Sequence, residues 1–313
     1  MTSTVKIGTR GSQLALVQAG LVADALGKAN PGVEFETTVI RTGGDKDRSS
    51  SISSIGVAVF VKELELALAS GEIDMAVHSL KDMTSTLDPG FVIAAVPYRE
   101  DPRDVLVSRS GVSLSELPAG ALIATGSTRR RALLLSRRPD LRVAQIRGNV
   151  PTRLSKVELK DGPDAVVLAA AGLKRLGLSG RITEYLKCTD FVSAVGQGAL
   201  AIETRANDKQ ALTLARSLND VDTRVSVDAE RAFLAAVGGG CLAPVSAHAR
   251  VRNGHFTISA FAADPDGRTV LRAEGEGVPS DAVRVAEQIA QDLLDRGAAD
   301  LISMTAGDGP HDE

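Results

Sequence analysis

Tryptophan is absent from this chain of 313 residues, and aromatic side chains make up only 3% of it. Proteins that hold single-stranded nucleic acid stack its bases on aromatic platforms, and this sequence has few to offer. A formal net charge of −3 argues the same way, because a protein that neutralises a phosphate backbone carries a basic excess. Nucleic acid is therefore not an expected partner. Cysteine is scarce as well: Cys188 and Cys241 are the only two. Two distant thiols make no disulfide framework, so a reducing compartment is expected. No apolar run approaches the roughly 20 residues that a membrane-spanning helix needs, and no membrane contact is expected. Residues 1–6 lack a basic stretch followed by an apolar one, so no secretory signal is read and a cytoplasmic location is expected. No metal site is read.

Two concentrations stand out against this sparse background. Cys241 sits directly behind Gly238-Gly239-Gly240 and ahead of Leu242-Ala243-Pro244. Glycines free the backbone, and a thiolate is a strong nucleophile, so the segment suits a thiol on a mobile arm to which something is attached. Read alone, it better suits a helix C-cap followed by a buried free cysteine. The second concentration is basic: eight arginines lie between Arg129 and Arg153 against one acid, Asp140. A nearly neutral protein with such a segment is expected to bind a small or medium-sized anion.

Short apolar runs alternate with helical periodicity along most of the chain. Strands are predicted over 5–9, 35–40, 75–77, 91–96, 122–125, 143–146, 165–169 and 200–203. Helices are predicted after Ser12, over 60–68, after Ser127, from Pro151 and over 170–176, with Ser12 and Ser127 as N-caps and Pro151 at a first-turn position. Residues 42–58 have little periodicity and are predicted to form a long loop, a candidate lid. This grammar gives an α/β fold with mainly parallel sheets. From about residue 221 it changes to a helix over 222–237, strands over 245–251, 256–263 and 269–273, a hairpin turn at Asn253-Gly254-His255, and a closing helix over 282–294. That part is predicted to be a small α+β domain with a three-stranded antiparallel sheet. The tail 306–313 is predicted to fray.

Loops at strand ends of α/β sheets form ligand crevices, where helix N-termini present free N–H groups to anions. Three such loops carry arginine: Thr9-Arg10-Gly11-Ser12, Thr125-Gly126-Ser127-Thr128-Arg129-Arg130 and Arg147-Gly148-Asn149-Val150-Pro151-Thr152-Arg153. Guanidinium pairs with carboxylate as a bidentate fork, so Arg10, Arg129, Arg130, Arg147 and Arg153 are read as anion ligands. Arg131, Arg137 and Arg138 are read as structural salt bridges or solvated positions. The run His78-Ser79-Leu80-Lys81-Asp82 follows a buried strand, which brings Lys81 and Asp82 out at its C-terminal end. A carboxyl among cations can stabilise a developing positive charge, or pass a proton to a leaving amine. An isolated Lys-Asp pair is more ordinarily a surface salt bridge, and His78 is as readily structural as catalytic.

Together these segments resemble the porphobilinogen deaminase (hydroxymethylbilane synthase) family over nearly the whole chain. The resemblance rests on Gly8-Thr9-Arg10-Gly11-Ser12, Phe60-Val61-Lys62-Glu63-Leu64-Glu65, His78-Ser79-Leu80-Lys81-Asp82 and Arg99-Glu100-Asp101-Pro102-Arg103-Asp104. It continues through Arg137-Arg138-Pro139-Asp140-Leu141, Arg147-Gly148-Asn149, Ala171-Gly172-Leu173-Lys174-Arg175-Leu176-Gly177 and Val195-Gly196-Gln197-Gly198-Ala199. It ends at Gly239-Gly240-Cys241 with Pro244 behind it.

The resemblance implies two α/β domains like those of periplasmic binding proteins plus the small C-terminal α+β domain. Domain 1 would take 1–97 and 199–218, domain 2 98–198, and domain 3 219–313. It implies a transferase that joins four porphobilinogen molecules head to tail, releases ammonia at each step and hydrolyses off hydroxymethylbilane, in the pathway to heme. It implies a dipyrromethane cofactor held by a thioether to Cys241, contacted by Lys81, Asp82, Ser127, Arg129, Arg130 and Gly148. Asp82 would be the catalytic carboxyl. Arg10, Ser12, Arg147, Arg153 and Gln197 would contact substrate, and the chain would act as a monomer. One departure is plain. Many members carry two lysines ahead of the Phe-Val-Lys-Glu-Leu-Glu helix, whereas Ser53-Ser54-Ile55-Gly56-Val57-Ala58-Val59-Phe60 carries none. The competing readings are a non-catalytic carboxylate-binding module using the same arginines and, less favoured, a nucleic-acid or polyphosphate binder using the 129–153 segment.

Overall fold

A computed structural model describes residues 4–40, 55–84, 86–238 and 243–304, and of 55–60 the backbone alone. The chain runs β1 (Thr4–Thr9), α1 (Gln13–Ala29), β2 (Glu34–Val39), α2 (Ile55–Ala69), β3 (Met75–Ser79), a 3-10 turn (Leu80–Asp82) and β4 (Phe91–Ala95). It continues as β5 (Asp104–Ser108), β6 (Leu122–Ala124), α3 (Thr128–Arg137), β7 (Arg142–Ala144), α4 (Val150–Glu158), β8 (Ala165–Ala169), α5 (Ala170–Arg175) and β9 (Glu184–Leu186). Next come β10 (Leu200–Arg205), α6 (Lys209–Arg216), α7 (Val221–Ala236), β11 (Val245–Arg252), β12 (His255–Ala263), β13 (Val270–Gly277), α8 (Ala282–Asp295) and α9 (Ala298–Ser303).

The chain divides into two compact units, Met1–Glu100 with Gly198–Arg224, and Asp101–Gln197 with Val225–Glu313. The first is built on a five-stranded sheet of order β2-β1-β3-β10-β4. Alternation along its strands sends side chains to two helical layers, as a sheet covered on both faces requires. Val5, Ile7, Met75, Val77 and Ile202 pack with Ala19, Val22 and Leu26 of α1 and Ala211 and Ala215 of α6. Ala76 and Ile73 pack with Leu64, Ala67 and Leu68 of α2 on the opposite face.

The second unit repeats the plan with a sheet of order β7-β6-β8-β5-β9. Leu106, Ile123 and Val167 face α3, while Val105, Val107, Val166 and Leu168 face α4 and α5. Its third sheet, β11-β12-β13, is antiparallel throughout. One face packs Phe256, Ile258 and Ala260 on Phe233 of α7 and Ala286, Ile289 and Leu293 of α8. The other sends Phe261 and Ala263 into the core around α3. A turn of this subdomain also touches α3 closely enough that a side chain at Gly267, where φ is +67°, would meet the Ala132 carbonyl at 2.1 Å. Residues of the α+β part thus complete the apolar cluster on the α3 side of the α/β part.

The α/β grammar and the three-stranded antiparallel sheet match the sequence expectation. The hairpin turn does too, with Asn253 and Gly254 at φ +52° and +74°, the pair of positive values a two-residue hairpin requires. The expectation of mainly parallel sheets needs correction. β1 pairs in parallel with β2 and β3, and β6 with β7 and β8. β10, however, is antiparallel to β3 and β4, and β5 to β8 and β9. These are the first strands after the chain passes from one unit into the other, β5 on entering the second and β10 on returning to the first, and they run against their neighbours. Helix α2 begins at Ile55, inside the stretch predicted as loop. The rest of that candidate lid, residues 41–54, lies outside the described residues, as do residues 306–313 of the predicted frayed tail.

Candidate functional site

The chemistry-bearing loops fall into both units, and each half is built by its own sheet. In the first unit β1 ends at Thr9, and Ser12 caps α1 by accepting the Ala15 N–H at 3.3 Å. The Thr9 hydroxyl donates to the Ala15 carbonyl at 3.1 Å, which ties the Arg10-Gly11 loop against the first turn of the helix. The neighbouring parallel strand β3 ends at Ser79, and the 3-10 turn that follows carries Lys81 and Asp82, both half-buried. Leu80 donates its N–H to the Ala199 carbonyl at 3.1 Å, which seats the turn on the start of β10. The Asp82 carboxylate has no cationic partner among the described residues. A half-buried carboxyl left in that state is poised to meet a group from outside the chain.

The second unit offers two helix N-termini side by side. Ser127 caps α3 through the Arg130 N–H at 3.4 Å, and Asn149 caps α4 through the Thr152 N–H at 2.9 Å. Their loops touch: a Cβ on Gly126 would stand 2.9 Å from the Ile146 carbonyl. Gly148 has φ +115°, where side chains are strained, and a Cβ there would lie 2.8 Å from Thr152 Cγ2. Arg153 bends back from α4 so that its Nε donates to the Gly148 carbonyl at 2.7 Å. No carboxylate meets Arg153 among the described residues. Burial, and after it the charge of Arg130, press its pKa below the ordinary arginine value. A half-buried guanidinium repelled by a second one is relieved by an anion. Arg147, on the same loop, is exposed.

Arg129, Arg130 and Gln197 converge on one buried acid. Both arginines close on Asp104, which opens β5 and is fully buried. Arg129 Nη1 donates to Asp104 Oδ2 at 2.8 Å and to the Val192 carbonyl at 2.6 Å. Arg130 reaches Asp104 Oδ1 through Nε at 3.0 Å and Nη2 at 2.7 Å. Gln197 is 1% exposed and donates to the Pro102 carbonyl at 2.7 Å and to Asp104 Oδ1 at 2.9 Å. Burial opposes ionisation of Asp104, but the charges of Arg129 and Arg130 and their hydrogen bonds override it and hold the carboxyl well below the usual carboxylate range. The geometry thus makes Asp104 the first partner of both arginines and draws Gln197 into the same network. The cluster holds two positive charges and one negative, and the charge of Arg130 still acts on Arg153. Asp104 lay in a quoted motif without a role, because nothing in sequence spacing pairs it with residues 25 positions on.

Arg131 bonds Asp266 at 2.9 Å, Arg138 bonds Asp140 at 2.6 Å and Arg137 bonds Asp190, so these three are salt bridges, as read from the sequence. Glu230, also missed, accepts the Gly196 N–H at 2.7 Å and the Ala249 N–H at 2.8 Å from full burial, and so fixes the Gln197 loop to β11. Cys241, with Gly239 and Gly240, lies outside the described residues. Among the described residues no group of His, Cys, Asp and Glu could hold a metal ion.

Both halves of this constellation fall within one family profile. It is described as "Porphobilinogen deaminase, dipyromethane cofactor binding domain" and matches residues 5–213. The chain belongs to the porphobilinogen deaminase family. A second profile, the C-terminal domain of porphobilinogen deaminase, matches residues 225–295 and spans Cys241. A porphobilinogen deaminase of Syntrophobacter fumaroxidans is 43% identical over 95% of this chain and 96% of its own length. One of Syntrophotalea carbinolica is 46% identical over 96% of each. Among solved structures, a Salmonella typhimurium periplasmic binding protein is similar at 15% identity and a TM-score of 0.38, over 69% of this chain and 92% of that one. The family's cofactor domain thus contains both Asp82 and Arg153. The residues around Gly148 fit an acidic prosthetic group, since Arg153 meets no carboxylate among the described residues and lies beside a second cation, Arg130.

Proposed function

We propose that this chain is a transferase that condenses porphobilinogen units head to tail onto a covalently held dipyrromethane and releases ammonia at each addition. The observation that carries this reading is Asp82: a half-buried carboxylate with no cationic partner among the described residues, beside Lys81 at the end of a buried strand, in a chain whose family is porphobilinogen deaminase. When bound, the dipyrromethane supplies the nucleophilic pyrrole carbon on which the product grows. Cys241 is the residue to which it attaches.

The other residues divide the work by charge. Arg153, Arg147, the Ser127 hydroxyl and the backbone at Gly148 hold carboxylates in the second unit, with the excess charge of the Arg129-Arg130-Asp104 cluster behind them. Arg10, Ser12 and Lys81 hold carboxylates in the first. Asp82 stabilises the cation that develops on porphobilinogen as its amine departs, and holds the proton given up when the new carbon–carbon bond forms. We further propose three functional segments with the boundaries expected from the sequence, a monomer, and a place in cytoplasmic heme synthesis. Among the described residues no helix is long and apolar enough to cross a membrane.

The test is intact mass. The purified protein is expected to exceed its sequence mass by one dipyrromethane unit and to gain further pyrrole units on brief exposure to porphobilinogen. Cys241→Ser is expected to lose both increments. An unmodified native thiol with no consumption of porphobilinogen would leave the carboxylate-binding module as the better reading.

Arg153→Leu is expected to reduce kcat/KM for porphobilinogen by about 10- to 100-fold, the equivalent of one charged hydrogen bond. Arg153→Lys should recover only part of this, because an ammonium cannot both bond the Gly148 carbonyl and fork onto a carboxylate. Steady-state kinetics on the loaded enzyme check both; unchanged kinetics in the leucine variant would take Arg153 out of the anion crevice.

A further inference from the structure

We infer that His78, acting through Glu203, is the positioning residue for Asp82. The inference rests on the proposed role of Asp82 and goes beyond it, since it concerns what holds that carboxyl in place.

The turn that carries Asp82 is seated by the Leu80 N–H on the Ala199 carbonyl and takes its direction from β3. It is three residues long and follows β3 directly, so its orientation is inherited from the last residues of that strand. Those residues are anchored on both faces of the sheet. On the α1 face, Ser79 and Gln18 exchange hydrogen bonds, the amide nitrogen donating at 2.9 Å and the hydroxyl returning to the amide oxygen at 3.2 Å. The α2 face holds the other anchor. His78 pairs with Ala201 across the antiparallel ladder, and Glu203 with Ala76, so the side chains of His78 and Glu203 are diagonal neighbours on one face. His78 Nε2 lies 2.9 Å from Glu203 Oε2.

This pair is costly to maintain for mere packing. Glu203 is fully buried and His78 is 7% exposed. The second carboxyl oxygen, Glu203 Oε1, is buried with no hydrogen-bond partner. The imidazole is therefore the hydrogen-bonding group that holds this carboxyl. Glu65 of α2 also faces it: burial raises the Glu65 pKa, and the charge of Glu203 raises it further while His78 lowers it. A buried acid with a single bond and a second acid near it is normally replaced by apolar packing unless something depends on its geometry. What depends on it here is the end of β3. Releasing His78 frees one of the side-chain pins at the end of β3, and a displacement of about 1 Å at a catalytic carboxyl costs on the order of 100-fold in rate.

Two polar replacements of His78 separate this role from a structural one. The glutamine amide reaches about as far as Nε2 and can still donate to Glu203; the asparagine amide stops at the level of Nδ1 and cannot. Each variant is purified loaded, its loaded fraction is read by intact mass, and single-turnover addition of porphobilinogen is measured well below its melting temperature. His78→Asn is expected to lower kcat per loaded enzyme by about 10- to 100-fold with KM changed less than about twofold, and His78→Gln to remain within about threefold of the native rate. Equal rates for the two variants, or a native rate in His78→Asn, would overturn the inference, as would a loss confined to KM. If the asparagine variant does not fold, Glu203→Gln, which keeps the shape and can still bond the imidazole, must retain a rate within about tenfold of native; a larger loss with an unchanged melting temperature would show that charge rather than position is at stake. Native enzyme that consumes no porphobilinogen would instead fail the proposed function itself.

Discussion

Asp82→Asn is expected to reduce turnover of porphobilinogen by about 100- to 10,000-fold, the range that a positioned acid–base group supplies. The substitution keeps shape and volume and removes the charge and the proton. Because Asp82 makes no ion pair among the described residues, its loss breaks no internal bond that would have to be made good. Thermal stability should therefore stay within about 0.5 kcal/mol of the native value, as for an ordinary surface exchange. A second variant sharpens the point. Asp82→Glu keeps the carboxyl but carries it forward by one methylene, and a shift of about 1 Å at a reacting group costs on the order of 100-fold. Single-turnover rates normalised to the loaded fraction measure both. Turnover within a few-fold of native in the asparagine variant would return Asp82 to the class of surface carboxylates.

Much of this was legible in the sequence. Strand-loop-helix punctuation at Ser12, Ser127 and Asn149-Val150-Pro151 announced three helix starts, and the structure has all three, with Ser12, Ser127 and Asn149 as caps. Capping is a local interaction, so a local pattern carries it. Strand direction was not legible. β10 reads as an ordinary apolar run and β5 is not read as a strand at all, and the antiparallel placement of both depends on where the chain enters each sheet, which no window of residues records.

The same limit governs the site. Arginine beside a helix start suggested anion binding at every such position, and composition could not tell an arginine facing a crevice from one facing a buried acid. Arg153 and Arg129 look alike in the sequence. Asp104 separates these two, and like Glu203 on His78 and Glu230 on the Ala249 N–H it acts on a residue between 19 and 125 positions away. Buried carboxylates of this kind are the part of a charged site that sequence reasoning finds last.

Asp104→Asn is expected to destabilise the protein by about 3–5 kcal/mol, the usual result of removing one member of a buried ionic cluster. Two guanidiniums, 5% and 6% exposed, would lose the anion that both of them grip. The acid limb of stability should change with it. A carboxyl whose folded pKa is depressed contributes stability that is complete above its unfolded pKa, about 4, and that is lost as pH falls toward the folded value. Asp104 lies well below the usual range, and Asp101, where burial is outweighed by Arg103 and Lys174, lies at about 2. The native protein should therefore lose stability progressively below about pH 4, and the asparagine variant should show a shallower slope over the same window. Urea unfolding between pH 3 and 7 measures both quantities.

Substrate affinity should move the other way from stability. Removing the negative charge leaves the cation excess near Arg153 larger, so KM for porphobilinogen should hold or fall while the fold weakens. Replacing the whole cluster by Asp104→Leu, Arg129→Met and Arg130→Met reverses the pattern, since an apolar triad can match or exceed the stability of a buried ionic one. It also abolishes the excess charge, and KM should rise. If stability and KM instead changed together in both variants, the cluster would be a scaffold alone, and the field at Arg153 would have to come from elsewhere.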